Sequence, residues 1–160
     1  MIRQLGILVD DLRLSQSNYH LIHSLNNIIS KRKDYDVAVF LRNFAAPPVT
    51  PMFGVFQTRE SYTYQGVLIA TNLDSAKTLI DISACLGKYF YLQNLEWTLY
   101  KKFAHKTLSD IYNNGELELI VRSMPHHNIV RTCWKTPHKL IKDWDSDSLI
   151  QLVETDYERN

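Results

Sequence analysis

Short apolar runs alternate along this chain with longer stretches in which apolar residues recur every three or four positions. That is the pattern of strands interleaved with amphipathic helices. Leu5 to Val9 (L-G-I-L-V), with a start open back to Ile2, predicts a first strand that stops at Asp10 and Asp11. The helix that follows has Ser15 or Ser17 as its cap. Leu21, Ile22, Leu25, Ile28 and Ile29 form its apolar stripe, and Lys31, Arg32 and Lys33 stand at its C-terminal end. Asp36 to Leu41 predicts a second strand, so the opening forty residues read as a βαβ unit with parallel strands.

From Arg42 to Pro51, three prolines exclude regular helix and central strand and predict a long loop. Met52 to Gln57 reads as a short strand, and Arg59 to Tyr64 as a turn of helix or an edge segment. Gly66 to Ala70 is a buried strand leading into a helix lined by Leu73, Ala76, Leu79, Ile80 and Ala84, which Gly87 is expected to end. Tyr89 to Gln93, within K-Y-F-Y-L-Q-N-L-E-W, has the composition of a strand covered on both faces and exits into Gln93, Asn94 and Glu96. A helix is predicted from Thr98 to Tyr112, with Tyr100, Phe103, Ala104, Leu108, Ile111 and Tyr112 on one face. Leu117 to Val121 supplies the next strand. Ser123 then caps a helix with Pro125 in its first turn and Ile129, Val130, Cys133 and Trp134 on its apolar face. An extended piece around Lys139 to Ile141 and a helix from Ser146 to Glu154 complete the chain, with Asp156 to Asn160 expected to fray. The expected architecture is α/β, a mostly parallel sheet of about five or six strands flanked by helices, in one domain over residues 1–155.

Composition narrows the function classes. A chain of 160 residues buries roughly 70% of its unfolded surface, enough for a sizeable core without staples. A formal charge of +1 gives no net pull toward nucleic acid, and no 18-residue apolar run offers a membrane span. Cys85 and Cys133 lack C-x-x-C spacing and fall on predicted apolar helix faces, which favours free buried thiols in a reducing, cytoplasmic compartment. With five glycines and neither G-x-G-x-x-G nor G-x-x-x-x-G-K-[ST], no dinucleotide or phosphate-loop fingerprint is present, and no cofactor is implied. A G-x-S-x-G nucleophile elbow is also missing.

In a parallel sheet all strand exits gather on one edge, where ligands bind. The exits are Asp10 and Asp11, Arg42 and Asn43, Thr71 and Asn72, Gln93 and Asn94 with Glu96, and Arg122 and Ser123 with His126 and His127. Such a rim suits a multi-hydroxyl or phosphorylated ligand, because carboxylates and amides bond hydroxyls and a helix N-terminus favours an anion. The competing reading is plain capping, for which Asn, Asp and Ser are equally suited. Asp10 or Asp11 is the candidate general base. His20 and His23 share a helix face but lack further metal ligands nearby, and Lys101, Lys102, His105 and Lys106 read as a solvated face.

Residues Val67 to Arg131 resemble the N-terminal, acceptor-side half of glycosyltransferases with the two-domain GT-B fold. The likeness rests on L-I-A-T-N-L-D-S-A, on a strand ending in Gln93-Asn94-Leu95-Glu96, and on L-E-L-I-V-R-S. The family has a Gln-Asp-Tyr-Glu type sequence at the second of these; Gln93 and Glu96 match it, whereas Asn94 and Leu95 depart. The resemblance implies a Rossmann-like domain that receives a saccharide acceptor or nucleotide-sugar and supports transfer only beside a donor-binding domain, which this chain does not include. Asp10 and Asp11 stand where many relatives have a glycine-rich loop.

Two functions are therefore expected. The first is a glycosyltransferase-like domain with Asp10 and Asp11 in catalysis, and Asn43, Thr71, Asn72, Gln93, Asn94, Glu96, Arg122, Ser123 and His126 binding ligand. The second is a non-catalytic module that binds a partner protein or a second copy through exposed aromatics around Tyr62, Tyr64, Trp97 and Trp144. A flavodoxin-like nucleotide-binding protein ranks third, because the first loop offers no Ser, Thr or Gly phosphate cradle.

Overall fold

The computed structural model describes residues 1–99 and 101–159. Seven strands form one sheet in the order β3-β2-β1-β4-β5-β6-β7, and every neighbouring pair is parallel. They are β1 (Arg3–Val9), β2 (Tyr35–Leu41), β3 (Gly54–Gln57), β4 (Val67–Ala70), β5 (Gly87–Leu92), β6 (Leu117–Val121) and β7 (Lys139–Leu140). Six helices cover the sheet: α1 (Gln16–Lys31), α2 (Leu73–Ile80), α3 (Glu96–Leu99), α4 (His105–Tyr112), α5 (Met124–Cys133) and α6 (Ser146–Arg159). The result is a three-layer, Rossmann-like α/β fold, with seven strands where five or six were expected.

Alternation along the strands divides the core. Leu5, Ile7, Val37, Val39, Ile69, Tyr91 and Ile120 face α1 and α6, and pack with Leu21, Leu25, Ile28, Leu149 and Val153. Leu8, Phe40, Leu68, Ala70, Phe90, Leu119 and Val121 face α2, α4 and α5. Each fully buried Leu, Ile or Phe in these clusters contributes roughly 1.5–3 kcal/mol. Helices α1 and α2 thus leave the neighbouring strands β1 and β4 toward opposite faces. Their divergence opens a crevice at the carboxyl end of the sheet, the place where the strand order reverses.

The chain departs from its sequence reading at several points. Helix α2 ends at Ile80, and Gly87 begins β5 instead of ending the helix. Cys85 is consequently in the connection, half-buried, and Cys133 at the end of α5 is exposed, so the expected pair of buried helical thiols is not found. The helix expected over Thr98–Tyr112 is two, α3 and α4, because the segment from Lys101 to Ala104 turns Lys102 and Phe103 toward the crevice. Tyr100 lies outside the described residues. On α5 only Val130 is buried, and Ile129 is exposed.

At the far end, the fraying expected from Asp156 does not occur through Arg159. The Tyr157 hydroxyl accepts from the Gln4 backbone N–H at 2.8 Å, and the buried Asp156 accepts from the Tyr89 hydroxyl at 2.9 Å. These long-range bonds hold the last turns of α6 against β1 and β5; Asn160 lies outside the described residues. The long loop before β3 is pinned to α1 by Asn26, whose side chain donates to the Thr50 carbonyl at 3.0 Å and accepts from the Met52 N–H at 2.8 Å. Of the two conformations expected for Arg59 to Tyr64, the chain takes the helical turn, a 3-10 helix over Thr58–Thr63.

Candidate functional site

The crevice between β1 and β4 has a volume of about 360 Å³. Its rim is made by the loops leaving β1, β4 and β5, and it gathers Asp10, Asp11, Thr71, Asn72, Gln93, Asn94 and Glu96, seven of the residues expected to form the site. Asn18, Asp74, Lys102 and Phe103 join them.

Local folding fixes each part of this rim. After β1, the Asn18 side chain donates to the Asp11 and Arg13 carbonyls, at 3.1 and 2.8 Å, and ties the acidic loop to the first turn of α1. Ser15 caps that helix by accepting from the Asn18 N–H at 3.0 Å. After β4, the Asn72 side chain accepts from the Ser75 N–H at 2.8 Å as the cap of α2, while the Thr71 hydroxyl donates to the Leu8 carbonyl at 2.8 Å and bridges the two strands. Thr71 and Asn72 are at the crevice, then, with the Thr71 hydroxyl and the Asn72 side-chain oxygen already engaged in holding it.

Glu96 is the chemically distinct group. As the first residue of α3 it projects toward the start of α2, where its Oε2 accepts from the Leu73 backbone N–H at 3.2 Å. Burial pushes its carboxyl up to about 7; the Leu73 bond opposes this, and the neighbouring charges of Asp10 and Asp74 add to it. A carboxyl with that affinity for a proton exchanges it near neutral pH.

Asp74 behaves oppositely. Burial alone would raise it, but Lys102, at 3.1 Å, and then Arg42, at 3.3 Å, outweigh burial and hold it below the usual carboxylate range. Asp11 is committed to Arg13, accepting from its backbone N–H at 2.8 Å and pairing with its guanidinium at 2.7 Å. Asp10 stands more open, with the Arg42 guanidinium 4.0 Å away. Of the two aspartates expected in catalysis, Asp11 is thus engaged in its own loop and Asp10 is solvent-facing; Glu96, expected as a ligand contact, has the environment of a proton-transferring group.

Behind Glu96 lies an aromatic cluster. Tyr112 stacks on Trp134 with centroids 4.9 Å apart and meets the edge of Trp97 at 5.0 Å. The Tyr112 hydroxyl is buried with no hydrogen-bond partner among the described residues, and its pKa is raised, first by burial and then by the charge of Glu96. This cluster supplies the apolar surroundings that desolvate Glu96.

The remaining expected residues lie elsewhere. The Asn43 N–H donates to the Asp10 carbonyl at 2.8 Å, so Asn43 supports the first exit from outside the crevice. Ser123 caps α5, accepting from the His126 N–H at 3.4 Å. His126 has a buried Nδ1 with no partner among the described residues, and burial, followed by the charge of Arg122, pulls its pKa down. The Arg122 guanidinium donates to the Gln93 carbonyl at 3.3 Å and comes within 4.0 Å of Asp143. It lines a second cavity of about 40 Å³ beside the first, with Gln93 common to both.

Lys102 reads in sequence as part of a solvated basic face, and Asn18 and Asp74 are not among the residues expected at the site. Their convergence depends on where α1, α2 and the α3–α4 break meet, and no local spacing signals that. Of the aromatics expected at the surface, Tyr62 is exposed, Tyr64 and Trp97 are half-buried, and Trp144 is 1% exposed and stacked on Tyr91. Among the described residues, no group of three or more His, Cys, Asp or Glu is arranged to hold a metal ion, and no helix is long and apolar enough to cross a membrane. Comparisons with protein-family models, curated proteins and solved structures find no match to this chain.

Proposed function

We propose that the crevice binds a saccharide through its hydroxyls, and that the chain is a glycosyltransferase-type domain whose Glu96 accepts a proton from the bound acceptor. The observation that carries this reading is the Glu96 carboxyl, raised to about 7 at the start of α2 inside a crevice lined by carboxylates and amides. Carboxylates accept from sugar hydroxyls, and the side-chain amides of Gln93 and Asn94 both donate and accept. An acidic first loop without glycines suits a hydroxyl-rich ligand better than a pyrophosphate.

In the proposed step, the acceptor hydroxyl loses its proton to the Glu96 carboxylate. Its oxygen bonds the anomeric carbon of a nucleotide-sugar, and the bond from that carbon to the nucleotide breaks, the electron pair leaving with the phosphate. A second, donor-binding domain supplies the nucleotide-sugar. Free Cys85 and Cys133 fit residence in the reducing cytoplasm.

Titration of ¹⁵N-labelled protein with mono- and disaccharides tests the binding half. Shifts should concentrate at the amides of Leu73, Gln93 and Asn94, and Gln93→Ala should reduce affinity at least about tenfold, the loss expected for two hydrogen bonds. Absence of any saccharide-dependent shift would remove the reading. Transfer from UDP-sugars with and without a donor-domain partner then tests catalysis.

A second reading, a protein-interaction module, draws on the opposite edge of the sheet. Strand β3 is an edge strand on which Phe56 is 41% exposed, with Phe44 and Met52 exposed beside it. Light scattering over a concentration series distinguishes a self-associating chain from a monomer.

A further inference from the structure

Beside the acidic crevice lies a pocket of different character. The second cavity is bounded by the first turns of α1, at Gln16, Ser17 and His20, by Arg122 after β6, and by Asp143 and Trp144 before α6. Its floor is the Tyr91–Trp144 stack, with ring centroids 4.0 Å apart. The Trp144 indole N–H donates to the Ser17 hydroxyl at 3.3 Å, which closes the pocket against α1.

Two successive non-glycine residues, Asp143 and Trp144, hold left-handed backbone conformations, with φ of 45° and 60°. Side-chain packing maintains them: Trp144 is fully buried, and Asp143 is left beside Arg122 at 4.0 Å. Such consecutive outliers cluster at ligand clamps. The Arg122–Asp143 pair is long and nearly half exposed on both sides, so it competes weakly for the guanidinium. An Arg guanidinium presents a planar fork of donors matched to a carboxylate.

We infer that this pocket is a second subsite, in which Arg122 receives a carboxylate arm of the saccharide seated in the crevice, so that the preferred ligand is a sugar acid. The inference rests on the saccharide reading above. Gln93 lines both spaces, and Arg122 bonds its carbonyl at 3.3 Å, so one sugar ring with one acidic substituent reaches from the crevice to the guanidinium. The volume of about 40 Å³ admits only a small group. A singly charged carboxylate is preferred to a phosphate dianion, which the Asp143 carboxylate in the pocket lining repels more strongly.

Calorimetric titration of the full chain with glucuronate, glucose and glucose 6-phosphate tests this. The expected result is glucuronate binding about tenfold or more tighter than glucose, a preference that shrinks with added salt. Arg122→Gln should abolish the preference and Arg122→Lys should keep part of it, with the unfolding midpoint of each variant confirming that the fold is intact. Glucose binding with no preference for glucuronate, or a preference that survives Arg122→Gln, overturns the subsite while leaving the crevice standing. Tighter binding of glucose 6-phosphate than of glucuronate overturns the carboxylate assignment. If none of the three sugars binds, the saccharide reading fails together with this one.

Discussion

The exits of β4 and β6 use nearly the same sequence device and produce different surroundings. Each strand ends in a polar residue that caps the next helix, Asn72 for α2 and Ser123 for α5. At β4 the neighbouring helix α1 leaves β1 toward the opposite face, and the space between them is the 360 Å³ crevice. At β6, α5 packs on the same face as α2 and α4, and the cap is simply a cap. A polar strand exit lines an open crevice where the covering helices diverge, and residue type alone does not decide it.

The largest perturbation that sharpens this contrast lies under the β6 side. Trp144→Ala removes a fully buried indole stacked on Tyr91 and should cost about 3–5 kcal/mol, read as a fall in the urea midpoint. A smaller loss would show that the left-handed segment relaxes once its tryptophan is gone.

At the crevice the sign reverses. The Glu96 carboxyl titrates near 4.5 when unfolded and about 7 when folded, so its contribution to stability is complete below 4.5 and is lost as the pH rises through about 7. Glu96→Gln keeps an acceptor for the Leu73 N–H and removes the buried charge. After discounting for partial exposure, the variant should be more stable than the parent by about 1–2 kcal/mol at pH 8, with the difference shrinking toward zero near pH 4.5. Chemical denaturation at the two pH values measures it; an equal effect at both would show that packing, not charge, dominates.

The paired caps provide the closest test. Asn72→Ala and Ser123→Ala should each lower stability by about 1 kcal/mol, but only Asn72→Ala should also weaken saccharide binding. Equal effects on binding would dissolve the distinction between the two exits. Smallest is Lys102→Ala, which breaks an exposed pair with Asp74 and should change stability by less than about 1 kcal/mol, the change diminishing in high salt.

Much of this organisation is legible along the chain. The apolar runs of β1, β2, β4, β5 and β6 and the Ser123 cap are local signals that the structure uses as read, and it selects Ser15 over Ser17 as the cap of α1 and Asn72 as the cap of α2. The break between α3 and α4 is not legible, because apolar spacing continues through Phe103 to Tyr112 and nothing local in it marks where the chain turns Lys102 and Phe103 to the crevice. Helix α6 likewise continues past Glu154 on account of Tyr157 and Asp156 bonding to β1 and β5, partners more than sixty residues away. For the site, sequence locates the exits and counts Glu96 among several ligand contacts, whereas the proton affinity that sets Glu96 apart depends on its burial, a property of the assembled layers. That Arg122 also lines the second cavity depends likewise on the assembled layers, which bring Gln16, Ser17, Asp143 and Trp144 around it.

The most direct measurement is the titration of the Glu96 side-chain carboxyl carbon by NMR, with and without saccharide. The account predicts a midpoint of about 7 in the free protein and a displaced midpoint once the saccharide occupies the crevice. A midpoint at the ordinary carboxylate value near 4.5, unmoved by saccharide, would contradict it.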